Sequence, residues 1–175
     1  LKDLNLENAD LEGVYLVDAD MKNCNLTKTN LSNCSMYGIN LSNSNLFKAN
    51  LKNANLKNSN LTNCNLLGAN FENTKLENIN WGPDNKVINE IEAETALANK
   101  NKILAQEKYK EAEDIYRSLK ISLQTQTLGE QARIFFIRQM VAQRKQFPKF
   151  SITRICLKII DLTTGYGEKI KNILY

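Results

Sequence analysis

The side chains best suited to chemistry in this sequence are its four cysteines, Cys24, Cys34, Cys64 and Cys156, because the chain contains no histidine. None of the cysteines has the C-x-x-C spacing of a metal site, and no histidine is present to complete a zinc site. We expect the thiols to be reduced and buried, where they behave as small apolar side chains. The sequence therefore predicts no metal site.

The motifs of common enzymes are missing as well. Hydrolysis and group transfer usually need a base or nucleophile held in a pocket, and the chain has neither a G-x-S-x-G elbow nor a phosphate-cradling glycine loop. The sequence points to no catalytic residue and no cofactor ligand. We predict that the protein is not an enzyme.

A glycine-rich segment near the C-terminus, Thr163-Thr164-Gly165-Tyr166-Gly167-Glu168, looks like the selectivity filter of a potassium channel. A filter is surrounded by a pore helix and membrane helices. Residues 84–162 contain no run of about 18 apolar residues that could span a bilayer. We therefore expect that this segment is not an ion filter.

The end of the chain is both basic and apolar. Its basic residues outnumber Asp161 and Glu168, and they are Arg144, Lys145, Lys149, Arg154, Lys158, Lys169 and Lys171. Interleaved with them are Phe147, Phe150, Ile152, Ile155, Leu157, Ile159, Ile160 and Leu162. Residues 147–175 fit two interpretations, a segment that lies on an anionic membrane surface and a packed amphipathic helix.

The elements that precede this tail begin with a period of five residues, which runs without insertion from Leu1 to Trp81. Every fifth residue is large and apolar, and these centres are Leu1, Leu6, Leu11, Leu16, Met21, Leu26, Leu31, Met36, Leu41, Leu46, Leu51, Leu56, Leu61, Leu66, Phe71, Leu76 and Trp81. A small or medium-sized residue lies two positions before most centres. Asn, Asp or Gly dominates two positions after them, with Lys28 and Lys48 as exceptions.

A period of five suits neither a helix nor a simple strand, so the chain must turn a corner in each pentad. Asn, Asp and Gly mark the corners because they tolerate left-handed backbone conformations. The centre and the small residue two positions before it share one face of an extended segment. Both are expected to fill the interior of a solenoid.

This pattern resembles the pentapeptide-repeat family, whose consensus A-(D/N)-L-x-x is matched by Ala49-Asn50-Leu51-Lys52-Asn53 and by the pentad after it. The resemblance implies a right-handed quadrilateral β-helix with about four coils, each of roughly 20 residues. Cys24 and Cys64 would then lie on one face, with Ser44 between them, and Cys34 on the opposite face. A separation of about 10 Å between Cys24 and Cys64 excludes a disulfide.

Charge is uneven along the repeat. Residues 1–20 contain six acids and a single lysine, Lys2, whereas residues 21–70 contain no acid. Some pentapeptide-repeat proteins imitate DNA and bind gyrase, which requires an extended acidic surface. A soluble, gyrase-directed DNA mimic is therefore the alternative function. Charges that only keep the solenoid soluble are the simpler interpretation, and nucleic acid is not an expected partner.

Beyond Pro83 the composition changes to Glu, Lys, Gln and Ala, which favour helix. Apolar residues recur at three- and four-residue steps across residues 100–124, which predicts an amphipathic helix. Gly129 separates it from a second helix, from about Glu130 to Gln146. The two helices are expected to form an antiparallel hairpin.

The hairpin is similar to one tetratricopeptide repeat in the spacing of Tyr116, Leu119, Leu123, Ala132 and Phe136. A single repeat of that kind cannot bury its own core, so the hairpin must pack on something else. The open end of the β-helix and a second copy of the chain are the two candidates. Both explain the apolar hairpin residues better than a ligand site does.

A second resemblance covers most of residues 107–175. In membrane proteins that carry a pentapeptide-repeat domain ahead of a channel-like segment, a hairpin of the Y-R-x-L-K and A-x-x-F type precedes a D-L-x-x-G-Y-G-E motif. The matching segments here are Tyr116–Lys120, Ala132–Phe135 and Asp161–Glu168. The resemblance implies a position beside the cytoplasmic face of a membrane, and the basic tail agrees with it.

Together these patterns predict a β-solenoid plus α fold in three parts. They are a β-helix over residues 1–83, an α-helical region with the hairpin over 84–147, and a basic amphipathic juxtamembrane tail over 148–175. The predicted function is a non-enzymatic structural or protein-interaction module, the cytoplasmic domain of a larger membrane protein. The sequence does not identify the protein partner, and homo-oligomerisation through the helical region stays open.

Overall fold

The computed structural model describes residues 1–166. The first part of the chain is a stack of coils in which every fifth residue from Asn5 to Asn80 forms an isolated, parallel β-bridge. Each bridge joins residues 20 positions apart, as between Asn30 and Asn50. The predicted solenoid with four pentads per repeat is confirmed. The right-handed sense and the count of about four coils stay predictions.

The corners of the coils have a left-handed backbone. The residue two positions after each centre, from Asp3 to Asn78, has a φ between 54° and 73°. Most corners are closed by a short hydrogen bond, such as the one from the Ala54 N–H to the Leu51 carbonyl at 3.0 Å. Asn, Asp and Gly recur there because this conformation disfavours most other residues. Lys28 and Lys48 adopt it as well, each with a φ of 56°.

The apolar centres form the interior of the solenoid. All centres from Met21 to Trp81 are buried, together with the residues two positions before them from Cys24 onwards. The first coil differs, because Leu1 is 63% exposed and Leu4 and Val14 are also exposed. The expectation that both positions point into a packed bore therefore holds from the second coil onwards.

The helical part follows a sharp turn at Gly82, which has a φ of 90°. Up to residue 166, a single 3₁₀ turn, Pro83–Asn85, leads into four helices: α1 (Ile88–Ala98), α2 (Lys102–Thr125), α3 (Gly129–Gln146) and α4 (Ile152–Thr164). Helices α2 and α3 form the predicted hairpin. The side chains of Asn101 and Ser151 cap the N-termini of α2 and α4.

The hairpin packs on the C-terminal end of the β-helix. The Trp81 and Phe135 rings meet edge to face with their centroids 5.2 Å apart, and Phe135 stacks on Tyr116 at 5.8 Å. The Gln126 side-chain oxygen also accepts a hydrogen bond of 2.9 Å from the Leu76 N–H. Of the two candidate surfaces for the hairpin, the end of the solenoid is therefore the one that the structure supplies.

One residue of the tetratricopeptide spacing is placed differently from the prediction. Phe135, not Phe136, is the buried aromatic residue of α3. Phe136 lies at the rim, where the Lys120 ammonium group is 5.6 Å from its ring centroid. Phe135 faces inward because its partner ring, Trp81, belongs to the β-helix. The sequence pattern of the hairpin alone does not include Trp81.

Candidate interaction surfaces

Three cysteines lie inside the solenoid and are unreactive by position. The thiols of Cys24, Cys34 and Cys64 are free and buried. The thiol of Cys34 donates to the Leu11 carbonyl at 3.0 Å, and that of Cys64 to the Leu41 carbonyl at 2.9 Å. Burial raises the pKa of Cys64 to about 12 and also raises the pKa of Cys34. The nucleophilic thiolate is therefore scarce at neutral pH.

The fourth cysteine corrects an expectation. Cys156 lies on α4 and is exposed, so the prediction that the thiols are buried is wrong for this residue. The prediction rested on the regular repeat, and Cys156 lies outside it. Within residues 1–166, no three Cys, Asp or Glu side chains are grouped so that they could hold a metal ion.

Hydroxyl groups occupy the same interior position as the three buried thiols. The side chains of Thr29, Ser44 and Thr74 donate to main-chain carbonyls of the coil beneath, 23 residues earlier, at 2.7, 2.9 and 2.7 Å. Each buried hydroxyl is thus satisfied, which removes most of the cost of placing it in the bore. The interior offers no free polar group of this kind to a ligand.

Asparagine side chains form ladders along the outside of the solenoid. The amide nitrogen of Asn70 donates to the Asn50 side-chain oxygen at 3.2 Å, Asn50 donates to Asn30 at 3.1 Å, and Asn30 donates to Asp10 at 2.8 Å. Asn73 and Asn53 begin a parallel ladder. Every amide donates towards the N-terminal coil, as in the stacked amides of cross-β structures.

The acids of the first coil end these ladders. Asn23 donates to Asp3 at 2.9 Å, and Asn33 donates to Glu12 at 2.8 Å. A carboxylate only accepts hydrogen bonds, so it suits the end of a row of donors. The simpler interpretation of these acids as solubilising charges is therefore incomplete, because they also hold the second coil.

The helices meet around a buried carboxylate that the sequence pattern does not reveal. Glu90 of α1 is 0% exposed. It accepts hydrogen bonds from the Tyr116 hydroxyl at 2.6 Å and from the Lys145 ammonium group at 3.2 Å. Lys145 also binds Glu94 at 2.9 Å. This cluster ties α1 to α2 and α3, and its groups already have partners within the fold.

The pKa values in this cluster agree with a structural role. Burial, together with the nearby Glu90 carboxylate, raises the pKa of Tyr116 above its usual range. Burial would lower the pKa of Lys145, but its bonds to Glu94 and Glu90 outweigh burial and raise it. Glu94 shows the opposite balance, since Lys86 and Lys145 hold its pKa below the ordinary value against the effect of burial. All three groups keep their usual protonation state at neutral pH.

Helix α4 has its apolar side turned away from the protein. Its half-buried side carries Arg154, Leu157 and Asp161, and Asp161 pairs with Arg144 of α3. Its exposed apolar residues, with the loop residue before it, are Phe150, Ile152, Ile155, Ile159, Ile160 and Leu162. Phe150 is 92% exposed and Ile152 80%. An apolar surface of this kind marks a site for contact with a membrane or another molecule.

A cleft of about 290 Å³ lies at the other junction, between the last coil and α2. Residues 69–73 form one wall, and Ser118, Ile121, Ser122 and Thr125 form the other. The cleft and the exposed side of α4 are separate surfaces, and neither contains a cluster of catalytic groups.

The first part of the chain matches a known family of repeat proteins. Residues 4–81 match the family model described as a pentapeptide repeat region. These residues form a pentapeptide-repeat region. The resemblance found in the consensus pentads is confirmed for this region, and no curated protein matches the chain in sequence.

Solved structures similar to the chain are pentapeptide-repeat proteins too. The protein alr5209 from Nostoc Pcc 7120 is 33% identical, with 42% of this chain and 60% of that chain covered and a TM-score of 0.41. Rfr23 from the cyanobacterium Cyanothece 51142 is 39% identical, with 50% and 62% covered and a TM-score of 0.28. A protein from the Arabidopsis thaliana thylakoid lumen is 26% identical, with 43% and 49% covered and a TM-score of 0.26. The chain thus spans less than two thirds of each of these proteins.

The segment after the pentapeptide-repeat region contains the other predicted motif only in part. Asp161 to Tyr166 belong to the described residues, whereas Gly167, Glu168 and the basic residues Lys169 and Lys171 lie outside them. Asp161 is engaged with Arg144. No helix within residues 1–166 is long and apolar enough to cross a bilayer.

Proposed function

We propose that the chain is a non-enzymatic protein-interaction module that lies at the cytoplasmic face of a membrane as part of a larger membrane protein. Its three parts are a right-handed β-helix of about four coils over residues 1–83, a helical region over 84–147 and a juxtamembrane tail over 148–175. The observation that carries the proposal is the outward apolar side of α4. The protein partner is left to experiment.

The chemistry of α4 and its flanks suits a membrane surface. Ile152, Ile155 and Ile159 lie on one side of the helix and are exposed. Lys149 and Lys158 are exposed beside them. Apolar side chains would enter the boundary between headgroups and acyl chains, while each nearby basic residue adds about 1 kcal/mol on an anionic surface.

The packed-helix interpretation of the tail receives less support. A helix that capped the hairpin would bury its isoleucines against α2 or α3, whereas α4 uses the side with Arg154 and Asp161 for that contact. The ion pair between Asp161 and Arg144 holds the polar side inward. The isoleucines are therefore available to a second surface.

No observation favours the gyrase-directed alternative. Residues 21–70 contain no acid. Asp3, Asp10 and Glu12 of the first coil accept hydrogen bonds from the coil above. A DNA mimic needs a continuous row of free negative charges, and this rod offers amides over most of its length.

Vesicle co-sedimentation of the whole chain tests the membrane proposal. We expect binding to anionic vesicles, weaker binding to neutral vesicles and release at high salt, since the Debye length falls to about 3 Å at 1 M. Ile159→Asp should abolish most of the binding because it places a charge on the apolar side. Thr153→Asp, which adds the same charge to another exposed position of α4, should retain most of it.

Two outcomes would contradict the proposal. The first is equal loss of binding by the Ile159 and Thr153 variants, which would reduce the effect to net charge. The second is equal partitioning of the whole chain and of a chain that ends at Gln146. The first result would leave the apolar side of α4 without a role at the membrane, and the second would make a packed helix the better account of residues 152–164.

A further inference from the structure

The last coil of the pentapeptide-repeat region presents open main-chain groups to the cleft beside α2. In the coil beneath, the Leu51 N–H donates to the Asn70 carbonyl and the Asn53 N–H donates to the Glu72 carbonyl, each at 2.9 Å. The Asn70 N–H in turn donates to the Ala49 carbonyl at 2.9 Å. Three regular bonds therefore connect each pentad with the next coil.

The equivalent groups of the last coil have no neighbour to bind. They are the Phe71 N–H, the Asn73 N–H and the Ala69 carbonyl, and none of the three has a hydrogen-bond partner within residues 1–166. All three belong to residues that line the cleft. Exposed strand edges of this kind accept an added strand readily.

In the same coil, another main-chain group forms its hydrogen bond with a residue outside the pentapeptide-repeat region. The Leu76 N–H, one pentad later, also has no further coil to bind. It donates instead to the Gln126 side-chain oxygen at 2.9 Å. A carbonyl oxygen from another element thus takes the place of the missing coil on that side. On the neighbouring side, α2 stands back from the edge and the cleft of about 290 Å³ remains.

The walls of the cleft indicate what could fill it. Glu72 is the only charged residue among its lining residues, and its exposed carboxylate is shared with Lys52 of the coil beneath at 2.9 Å. Ile121 is 52% exposed on the opposite wall, beside the hydroxyl side chains of Ser118 and Ser122. The cleft therefore combines main-chain donors and an acceptor with one negative charge and one apolar contact.

We propose that this cleft binds an extended, lysine-containing peptide segment of a partner protein, which pairs with residues 69–73 as a further coil would. Carbonyl oxygens of the segment accept hydrogen bonds from the Phe71 and Asn73 N–H groups, and one N–H of the segment donates to the Ala69 carbonyl. Its lysine lies beside Glu72, and an apolar side chain contacts Ile121. This is strand addition to an edge. It rests on the interaction-module part of the proposed function and is independent of membrane attachment.

The probe is a fluorescent peptide with the sequence of residues 49–58, Ala-Asn-Leu-Lys-Asn-Ala-Asn-Leu-Lys-Asn. It carries the corner residues of a coil and two lysines. Fluorescence anisotropy with the whole chain should give saturable binding. Methylation of the peptide nitrogen that donates to Ala69 should weaken binding about fivefold, since one hydrogen bond contributes about 1 kcal/mol. A scan of single N-methylated peptides identifies that position.

Two matched pairs of variants locate the site. Ile121→Arg fills the cleft and should weaken binding at least about tenfold, whereas Ile103→Arg, at a more exposed isoleucine near the start of α2, should leave it unchanged. Glu72→Gln should weaken binding of the lysine peptide and reduce its dependence on salt. Glu77→Gln alters the equivalent ion pair one pentad later, outside the cleft, and should have no effect.

Several results would overturn the proposal. They are the lack of saturable binding at millimolar peptide, equal effects of Ile121→Arg and Ile103→Arg, and indifference to every N-methylation. Self-association of the chain that Ile121→Arg abolishes would assign the cleft to a second copy instead. The vesicle experiment is read separately, because none of these variants lies in α4.

Discussion

The pentapeptide-repeat region and the helical region are stabilised by different kinds of contact. In the repeat region, residues that touch are 20 positions apart, and the same bridge, corner and amide ladder return in every coil. In the helical region each contact occurs once, such as the edge-to-face pair of Trp81 and Phe135. A regular set of contacts shares its stability over many equivalent sites, whereas an irregular set depends on a few side chains.

The difference also appears in how each region treats buried polar groups. The solenoid gives buried hydroxyls such as Ser44 a main-chain acceptor in the coil beneath. The helices bury a charge, Glu90, and satisfy it with Tyr116 and Lys145 from two other helices. Loss of one partner should therefore be local in the solenoid and disruptive in the helices.

The largest expected effect is in the interior of the solenoid. Leu51→Asp places an unpaired charge in a fully buried position and should lower the free energy of unfolding by about 4 kcal/mol or more. Lys52→Asp, at the adjacent wall position, disturbs only the exposed pair with Glu72 and should cost less than about 1 kcal/mol. Urea unfolding followed by circular dichroism measures both. Equal losses would show that the inward and outward positions are wrongly assigned.

The next effect concerns the buried carboxylate of the helical region. Glu90→Leu leaves the Lys145 ammonium group and the Tyr116 hydroxyl without their shared acceptor and should cost about 3 kcal/mol. Glu107→Leu, at an exposed position of α2, should change stability by less than about 0.5 kcal/mol. Thermal unfolding compares the two. A stabilised Glu90→Leu protein would mean that the buried ions are dispensable for the fold.

A smaller effect with the opposite sign is expected at a corner. Lys48 has a φ of 56°, a conformation that costs a non-glycine residue about 1 kcal/mol. Lys48→Gly should therefore raise the free energy of unfolding by a few tenths to about 1 kcal/mol. Lys57→Gly, at a wall position without the left-handed backbone, should lower it. Destabilisation by both substitutions would indicate that the contact of Lys48 with the Phe47 ring outweighs the strain.

The smallest structural disturbance comes from labelling the thiols. A thiol reagent at pH 8 should modify Cys156 rapidly in the folded protein and the three solenoid thiols only on unfolding. The pKa of Cys64, about 12, keeps it protonated at that pH. Cys156→Ser should remove the rapid phase. Rapid labelling of two or more thiols in the native protein would mean that the coils open on the timescale of the reaction.

The repeat region could be predicted closely because its signal is short-range and repeated. The apolar centres and the Asn, Asp or Gly corners identify the inward positions and the left-handed residues, and the structure confirms both from the second coil onwards. Lys28 and Lys48 fit as well, although their residue type argues against their conformation. The pattern of the neighbours was stronger than the preference of the individual residue.

The contacts between elements could not be predicted in the same way. Helix α1 buries Asn89 and Glu90 beside Ala93, so it lacks the apolar stripe that marks α2. The ladder role of Asp10 depends on Asn30, 20 residues later, and a charge count cannot detect it. The sequence likewise indicated an amphipathic tail, but only the pairing of Asp161 with Arg144 decides which side of α4 faces outward.

The spacing of 20 residues between bridge partners sets a rule for changes of length in this molecule. Loss of residues 41–60 would place Asn70 directly above Asn30, which lies on the same side of the rod. It would shorten the rod by one layer of about 4.8 Å. Loss of a single pentad would move every later residue to the next side of the rod, so amides and lysines would meet new neighbours in the coil beneath. Insertions and deletions should therefore be tolerated in whole coils, which makes the repeat region an adjustable spacer beneath a fixed helical end.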